Sequence, residues 1–149
     1  MLASCSRKKD KFINRNWHAM TAYYNTMFNG EQALIQGEQE LENSFREDYW
    51  NILPVERMQI EENALLQGET KNSNFQYAEE KATKAIQKHS MYIDGEETNP
   101  QMDEAFIMLG KARYFDGRFI PAQEAFNYVL RRYPTSNSIT RARVWKEKV

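Results

Sequence analysis

The sequence predicts an all-α protein made of helical hairpins that pack side by side. The chain has only six glycines and four prolines among 149 residues, too few turn residues for a many-stranded β protein. Apolar residues recur at helical spacing in several segments, and 41% of all residues are hydrophobic, so paired helices can bury a core. We divide the chain into a tether over residues 1–16 and a helical repeat region over residues 17–149.

The tether carries Leu2-Ala3-Ser4-Cys5, the order of residues found in the lipobox of bacterial lipoproteins. The cysteine is required in a lipobox because its thiol becomes the thioether that carries diacylglycerol, and several acyl chains are needed for stable attachment. A polar, mostly basic run over residues 6–11 follows directly. We predict that Cys5 is a lipid attachment site, and the alternative is a free cysteine in a disordered tail.

Residues 17–48 predict a first, degenerate hairpin, and residues 49–72 a connector. The large apolar side chains of the hairpin that share one helical face are Trp17, Met20, Tyr24, Met27 and Phe28. The chain is also rich in aromatic residues, including Tyr23, Tyr24, Tyr49 and Trp50. We expect these aromatic residues to belong to the core between helices, with a binding surface as the alternative. Asn29-Gly30 would be either the turn of the hairpin or a kink.

Residues 73–90 predict a helix. Ser73 and Gln76 have the spacing of a capping box at its start. Its apolar stripe consists of Phe75, Ala78, Ala82, Ala85 and Ile86. One continuous apolar stripe of this kind indicates a helix packed on its neighbours.

Residues 103–136 carry the clearest internal pattern. Two aromatic residues, one leucine, two small residues and one proline stand at the spacing of a 34-residue helical-hairpin repeat: Phe106, Leu109, Gly110, Ala122, Phe126 and Pro134. This is the tetratricopeptide pattern, in which small residues let two antiparallel helices approach and aromatic residues fill their seam. Gly30 and Pro54 are separated by 24 residues, as are Gly110 and Pro134, which hints at an earlier repeat in the same register.

Residues 138–149 predict the first helix of a following repeat. Because a single repeat helix cannot bury its apolar face alone, we expect the chain to continue beyond Val149. In repeats of this type the first helix of each hairpin lines a concave groove. The predicted partner-binding residues on that helix are Glu104, Ile107, Lys111 and Tyr114.

The sequence contains no recognisable constellation for catalysis. His18 and His89 are far apart and outside any metal-ligand spacing, and Cys5 has no plausible base near it. A glycine-rich phosphate loop is missing, and the formal net charge of −1 gives no electrostatic reason to expect nucleic acid. We therefore expect no enzyme activity, cofactor, metal or small-molecule substrate.

Three runs of the sequence resemble one family across nearly the whole chain. They are CSRKKDKFINRNWHAMTAYYNTMFNGEQAL, KATKAIQKHSMYIDG and DEAFIMLGKARYFDGRFIPAQEAFNYVLRRYP. These runs resemble the SprE/PorW family, the tetratricopeptide-repeat lipoproteins of the type IX secretion system and gliding motility. The resemblance implies an outer-membrane lipoprotein on the periplasmic face, lipidated at Cys5 and longer than this chain.

The same resemblance implies a scaffold function. Members of the family are thought to link the outer-membrane translocon to motor and ring components, so the implied partners are other secretion-system proteins, with the membrane held through the N-terminal lipid. Two alternatives stay open. One is an accessory lipoprotein of another outer-membrane assembly pathway, such as β-barrel insertion, and the other is a nutrient-binding surface lipoprotein.

Overall fold

A computed structural model describes residues 6–50, 52–54, 56–58 and 72–149. The described residues are mostly helical, which confirms the predicted all-α class. In chain order the helices are α1 (Phe12–Ala22), α2 (Phe28–Ser44), α3 (Ser73–His89), α4 (Met102–Phe115), α5 (Phe119–Arg132) and α6 (Ile139–Lys148). The lipobox with Cys5 and most of the predicted connector over residues 49–72 lie outside the described residues.

The chain from Phe12 to Ser44 is one continuous helical run. A five-residue π-helical segment, Tyr23–Met27, joins α1 directly to α2. The predicted hairpin over residues 17–48 is therefore wrong, because Asn29-Gly30 lies inside α2 and makes no turn. The predicted tether over residues 1–16 is also too long, because α1 already begins at Phe12.

Gly30 serves close packing instead of a turn. A Cβ at this position would lie 2.9 Å from Cβ of Lys81 in α3 and 3.0 Å from Cε of Met108 in α4. The absence of a side chain therefore lets α2 approach both later helices.

The aromatic residues predicted as core, Tyr23, Tyr24, Tyr49 and Trp50, are all exposed, and so is most of the apolar face of this run. Met27 is buried, whereas Trp17, Met20, Tyr24 and Phe28 are not. The reason is that α3 packs on the opposite side of α1, against His18 and Ala22.

Helix α3 packs against α2 through a second glycine. A Cβ on Gly37 would lie 2.5 Å from Cε1 of Phe75, whose side chain is fully buried. The N-cap of α3 is Asn72 and not the predicted Ser73, because the Asn72 side chain accepts the backbone N–H of Asn74 at 2.8 Å. The asparagine thus satisfies a donor that the helix itself leaves free.

Helices α4 and α5 form an antiparallel hairpin. The ring of Phe106, near the start of α4, stacks on Tyr128, near the end of α5, at 4.2 Å, and Tyr114 meets Phe119 at the other end at 5.6 Å. The connecting turn uses Gly117 at a φ of 78°, a conformation that glycine adopts without steric cost. A Cβ on Gly110 would lie 2.5 Å from the Phe126 ring.

The helices stack in alternation. Helix α3 lies between α2 and α4, and α5 lies between α4 and α6. Contacts of α4 with both α2 and α6 place these three helices next to one another along one face. A short β-hairpin, β1 (Tyr92–Ile93) and β2 (Glu96–Glu97), links α3 to α4 and turns at Asp94 and Gly95, both with positive φ.

An ion-pair network ties α3 to the turn of the next hairpin. Glu79 accepts hydrogen bonds from Arg113, at 2.7 Å, and from Arg118, and Arg118 also donates to Asp116 at 2.9 Å. Burial opposes ionisation of Glu79, but the hydrogen bonds from both arginines outweigh it and lower the pKa of Glu79 below its ordinary value. The network therefore holds one hairpin against the helix before it.

Candidate partner-binding groove

An open groove of about 470 Å³ runs between α2, α4 and α6. We call it the inner groove. Its lining comes from the π segment and α2 (Tyr23, Met27, Glu31, Leu34, Ile35 and Glu38), from α4 and the residue before it (Gln101, Glu104, Ile107, Met108 and Lys111), and from α6 (Arg141). Every second helix of the stack thus contributes to the same surface.

The floor of the inner groove is apolar. Met27 and Leu34 from the first helical run, together with Ile107 and Met108 from α4, are all buried to more than nine-tenths. Ile35 is a large apolar side chain at the edge and remains 42% exposed. A partner could therefore gain apolar contact at the edge without displacing the floor.

The rim of the inner groove is charged, and its ion pairs join neighbouring helices. Lys111 Nζ in α4 lies 3.1 Å from Glu38 Oε1 in α2. Glu104 in α4 pairs with Arg141 in α6 and accepts a hydrogen bond from Ser138 Oγ at 2.7 Å. Glu31 is an exposed carboxylate on the same rim. The rim thus offers both signs of charge to a polypeptide.

The four predicted partner-binding residues are divided between groove and core. Glu104 and Lys111 line the inner groove and stand on its rim. Ile107 is only 4% exposed and belongs to the floor. Tyr114 does not line the groove. Partner binding by any of the four residues stays a prediction.

Tyr114 is covered by the helix that follows the hairpin. Its ring lies 5.5 Å from the ring of Trp145 in α6 and is 5% exposed. Burial, together with the nearby charge of Glu56, raises the pKa of the Tyr114 hydroxyl. The packing of α6 on the C-terminal part of α4 therefore covers this tyrosine.

The six residues of the predicted repeat framework lie in or beside the α4–α5 seam and not in the groove. The buried members are Leu109, Gly110, Ala122 and Phe126. Phe106 is half-buried in its stack on Tyr128, and Pro134 is exposed just after the end of α5. They define the hairpin that carries the rim residues.

Sequence reasoning missed the contribution of α2 to the groove. Leu34 and Glu38 stand three residues before and one residue after Gly37, as Ile107 and Lys111 do relative to Gly110. Matching Gly37 to Gly110 in the sequence would therefore have pointed to these two residues. The register that Gly30 and Pro54 suggested is wrong, because the glycine that admits a phenylalanine ring in α2 is Gly37.

His18 and His89, which are distant in the sequence, meet in the structure. Their Nδ1 atoms are 3.3 Å apart, and the contact joins α1 to the end of α3. Burial lowers the pKa of His89, and the charges of His18, Lys88, Arg7 and Lys84 lower it further. Among the described residues, no group of three or more His, Cys, Asp or Glu side chains is placed to hold a metal ion.

The fold and the groove define a class of protein: stacked α-helices that present a shared, charge-rimmed groove. No protein-family model matches the chain, and no curated protein matches it. Of the helices that the structure describes, none has the length and apolar character needed to cross a bilayer.

Proposed function

We propose that this chain is part of a tetratricopeptide-type solenoid that holds other proteins within the type IX secretion and gliding machinery. The observation that carries the proposal is the inner groove, since α2, α4 and α6 line it together. In such repeats the first helix of each hairpin faces the concave side, where partners bind.

The repeated glycine–phenylalanine contact supports the solenoid part of the proposal. Gly37 with Phe75, and Gly110 with Phe126, make the same close approach in two successive helix pairs. Each pair then packs on the next through α3–α4 and α5–α6. Neighbour-to-neighbour packing of this kind is how repeat proteins bury their core.

The chemistry of the groove supports a polypeptide partner. Its apolar floor and its ion pairs, Glu38–Lys111 and Glu104–Arg141, suit an extended segment that carries both apolar and charged side chains. Ion pairs at the edge of an interface contribute more to specificity and to the rate of association than to affinity. The proposed partners are therefore translocon and motor or ring proteins, which the family resemblance implies.

The location is part of the same proposal. Lipidation of Cys5 would hold the protein at the outer membrane, with the repeats on the periplasmic face. A scaffold anchored there would reach the translocon in the membrane and ring or motor components below it. No catalytic step is required of this chain.

The test is to capture partners from cells that possess the secretion system. We expect Lys111→Glu to weaken co-purification of translocon or motor proteins, because it reverses a rim charge beside Glu38. Arg131→Glu is the matched control, since Arg131 is exposed on α5, outside the groove. Circular dichroism on both variants shows whether helicity is kept.

Lys111 Nζ also lies 5.1 Å from the centroid of the Trp145 ring in α6, so Lys111→Glu can disturb the packing of α6. A second charge reversal, away from Trp145, therefore tests the groove independently. Glu31→Lys changes an exposed rim residue, and Glu124→Lys on α5 is its control. Unchanged capture by both folded rim variants would contradict the groove assignment. Recovery of β-barrel insertion proteins by the unaltered chain would favour the alternative assembly pathway.

A further inference from the structure

The first helical run carries an exposed apolar stripe that the fold leaves uncovered. Ile13, Trp17, Met20, Tyr24 and Phe28 follow one another at steps of four, three, four and four residues, so they share one face. Their exposed fractions are 72%, 50%, 52%, 66% and 47%, respectively. We call these five residues the N-terminal stripe. The opposite face of α1, with His18 and Ala22, is buried against α3.

Single exposed apolar residues are ordinary, but a continuous row of large ones marks an interaction surface. The row extends over 16 residues, from Ile13 to Phe28, and its 15 steps correspond to about 22 Å of helix. The composition is also informative, because tryptophan and tyrosine favour the boundary between water and lipid, where one part of the ring is apolar and another is wet.

Positive charge gathers at the beginning of the stripe. Residues 6–30 contain five basic residues and one acidic residue, a net charge of +4, whereas the whole chain carries −1. The acidic residue, Asp10, is paired with Arg15 at 3.2 Å. Lys8, Lys9 and Lys11 are exposed.

The basic run over residues 6–11 also contacts the end of α3. Arg7 Nη1 donates to the carbonyl oxygen of Gln87 at 2.5 Å, so the basic run lies beside the last turn of α3. Lys84 and Lys88, both on that part of α3, are exposed. A surface that complements both the N-terminal stripe and the basic run is therefore apolar and anionic.

We infer that the N-terminal stripe docks on a bilayer that contains anionic lipid, with α1 lying in the plane of the headgroups. The apolar side chains would enter the boundary of headgroups and acyl chains, and the basic residues would contact the anionic headgroups. A second copy of this chain fits less well, because residues 11–30 contain no acidic residue, so the stripe of that copy supplies no negative charge. The inference goes beyond the proposed scaffold function and does not depend on a lipid at Cys5.

The experiment is co-sedimentation of the full chain with lipid vesicles. All samples carry Cys5→Ser, so that neither an acyl chain nor a disulfide between copies contributes. Vesicles of phosphatidylcholine with phosphatidylglycerol are compared with vesicles of phosphatidylcholine alone. We expect binding to the anionic vesicles and at least about tenfold weaker binding without the anionic lipid, because the basic residues lose their counterpart.

Replacing the stripe tests the apolar part. Ile13→Ser combined with Trp17→Ser should weaken vesicle binding by at least about tenfold, since two large side chains no longer enter the lipid. Ile120→Ser combined with Val144→Ser is the matched control, because these residues are 58% and 53% exposed on α5 and α6. The control should bind as the parent does.

A second measurement applies if the double replacement unfolds the chain. With Trp50→Phe and Trp145→Phe, the remaining tryptophan is Trp17, and brominated acyl chains should quench its fluorescence on anionic vesicles. Absence of vesicle binding, full binding by a folded Ile13→Ser/Trp17→Ser variant, or an unquenched Trp17 would each overturn the inference. So would self-association through the stripe without lipid binding. Partner capture through Lys111 is measured separately, so the two proposals can fail independently.

Discussion

The phenyl ring of Phe75 occupies the space that a side chain on Gly37 would need. A Cβ there would lie 2.5 Å from Cε1 and 2.8 Å from Cζ of the ring, both well inside van der Waals contact. The ring itself is fully buried, so it has little freedom to move aside.

Gly37→Ala should therefore destabilise the protein although alanine is the better helix former. Overpacking costs about 1–3 kcal/mol, while the helix propensity of alanine returns about 1 kcal/mol relative to glycine. We expect a net loss of about 1 kcal/mol, the middle of the resulting range, in the free energy of unfolding, measured by urea denaturation. Gln36→Ala, an exposed neighbour in α2, should show no such loss. Partial rescue of Gly37→Ala by Phe75→Leu would tie the loss to the ring, and equal stability of Gly37→Ala and its parent would contradict it.

Removing the charge of Glu79 should loosen the contact between α3 and the following hairpin. Glu79→Gln leaves Arg113 and Arg118 without their shared carboxylate, and loss of a partly buried pair of this kind costs about 1–3 kcal/mol. Thermal or urea unfolding measures the change. Glu80→Gln, on the exposed side of the same helix, is the control and should leave stability nearly unchanged.

The same carboxylate gives the stability a dependence on acid pH. The pKa of Glu79 is lower in the folded protein than the ordinary value of 4.5, so the unfolded chain takes up its proton first as the pH falls. The stabilisation is complete above pH 4.5 and is lost as the pH falls below it towards the folded pKa. The slope of stability against pH in that range should be shallower in Glu79→Gln than in the parent, and equal slopes would show that other carboxylates account for it.

The contact of His18 with His89 should weaken at a higher pH than the Glu79 network does. Because the pKa of His89 is lowered in the folded protein, its stabilisation is complete above the ordinary value of 6.5 and is lost as the pH falls through the folded pKa. A protonated His89 would be repelled by the nearby Lys84, Lys88 and Arg7, and this repulsion would weaken its contact with His18, whose Nδ1 lies 3.3 Å from Nδ1 of His89. The protection factors of α1 amides against hydrogen exchange should therefore fall below pH 6.5, and fall less in His89→Gln.

Truncating Trp145 should detach α6 from the hairpin before it. Its ring contacts Tyr114, Phe115 and Phe126 at centroid distances of 5.5, 5.6 and 6.1 Å. Trp145→Ala should lower the free energy of unfolding by about 3 kcal/mol, the low end for a tryptophan because this ring is only partly buried. It should also expose Tyr114, which iodination or another tyrosine-specific reagent would detect. Val144→Ala, at an exposed neighbouring position, is the control. A Tyr114 that stays protected in the folded Trp145→Ala variant would contradict this account.

The local pattern predicted the α4–α5 hairpin because both partners of its seam fall within one repeat. Gly110 and Phe126 are 16 residues apart, whereas Gly37 and Phe75 are 38 residues apart, so a search at the period of the repeat cannot pair them. The register inferred from Gly30 and Pro54 failed for the same reason. Long-range pairing decides which glycine faces a ring, and spacing within one helix does not show it.

Helical periodicity also did not reveal which faces become covered. It placed Trp17, Met20 and Tyr24 on one side of a helix, but the position of α3 decides that this side is exposed. In the same way, Tyr114 has the spacing of a groove residue, and only the packing of Trp145 shows that it is buried. The short β-hairpin did leave a local signal, since Asp94-Gly95 is a favoured pair for a tight turn between two strands.

The π-helical segment Tyr23–Met27 corrects a mismatch of phase between the two ends of the long helix. The buried residues His18, Ala22, Thr26 and Gly30 follow one another at intervals of four, and in an α-helix three such steps would rotate the buried line by about 120°. The wider turn of the π-helix takes up that rotation and keeps the line on α3. Without that segment, the buried face of either α1 or α2 would turn away from α3.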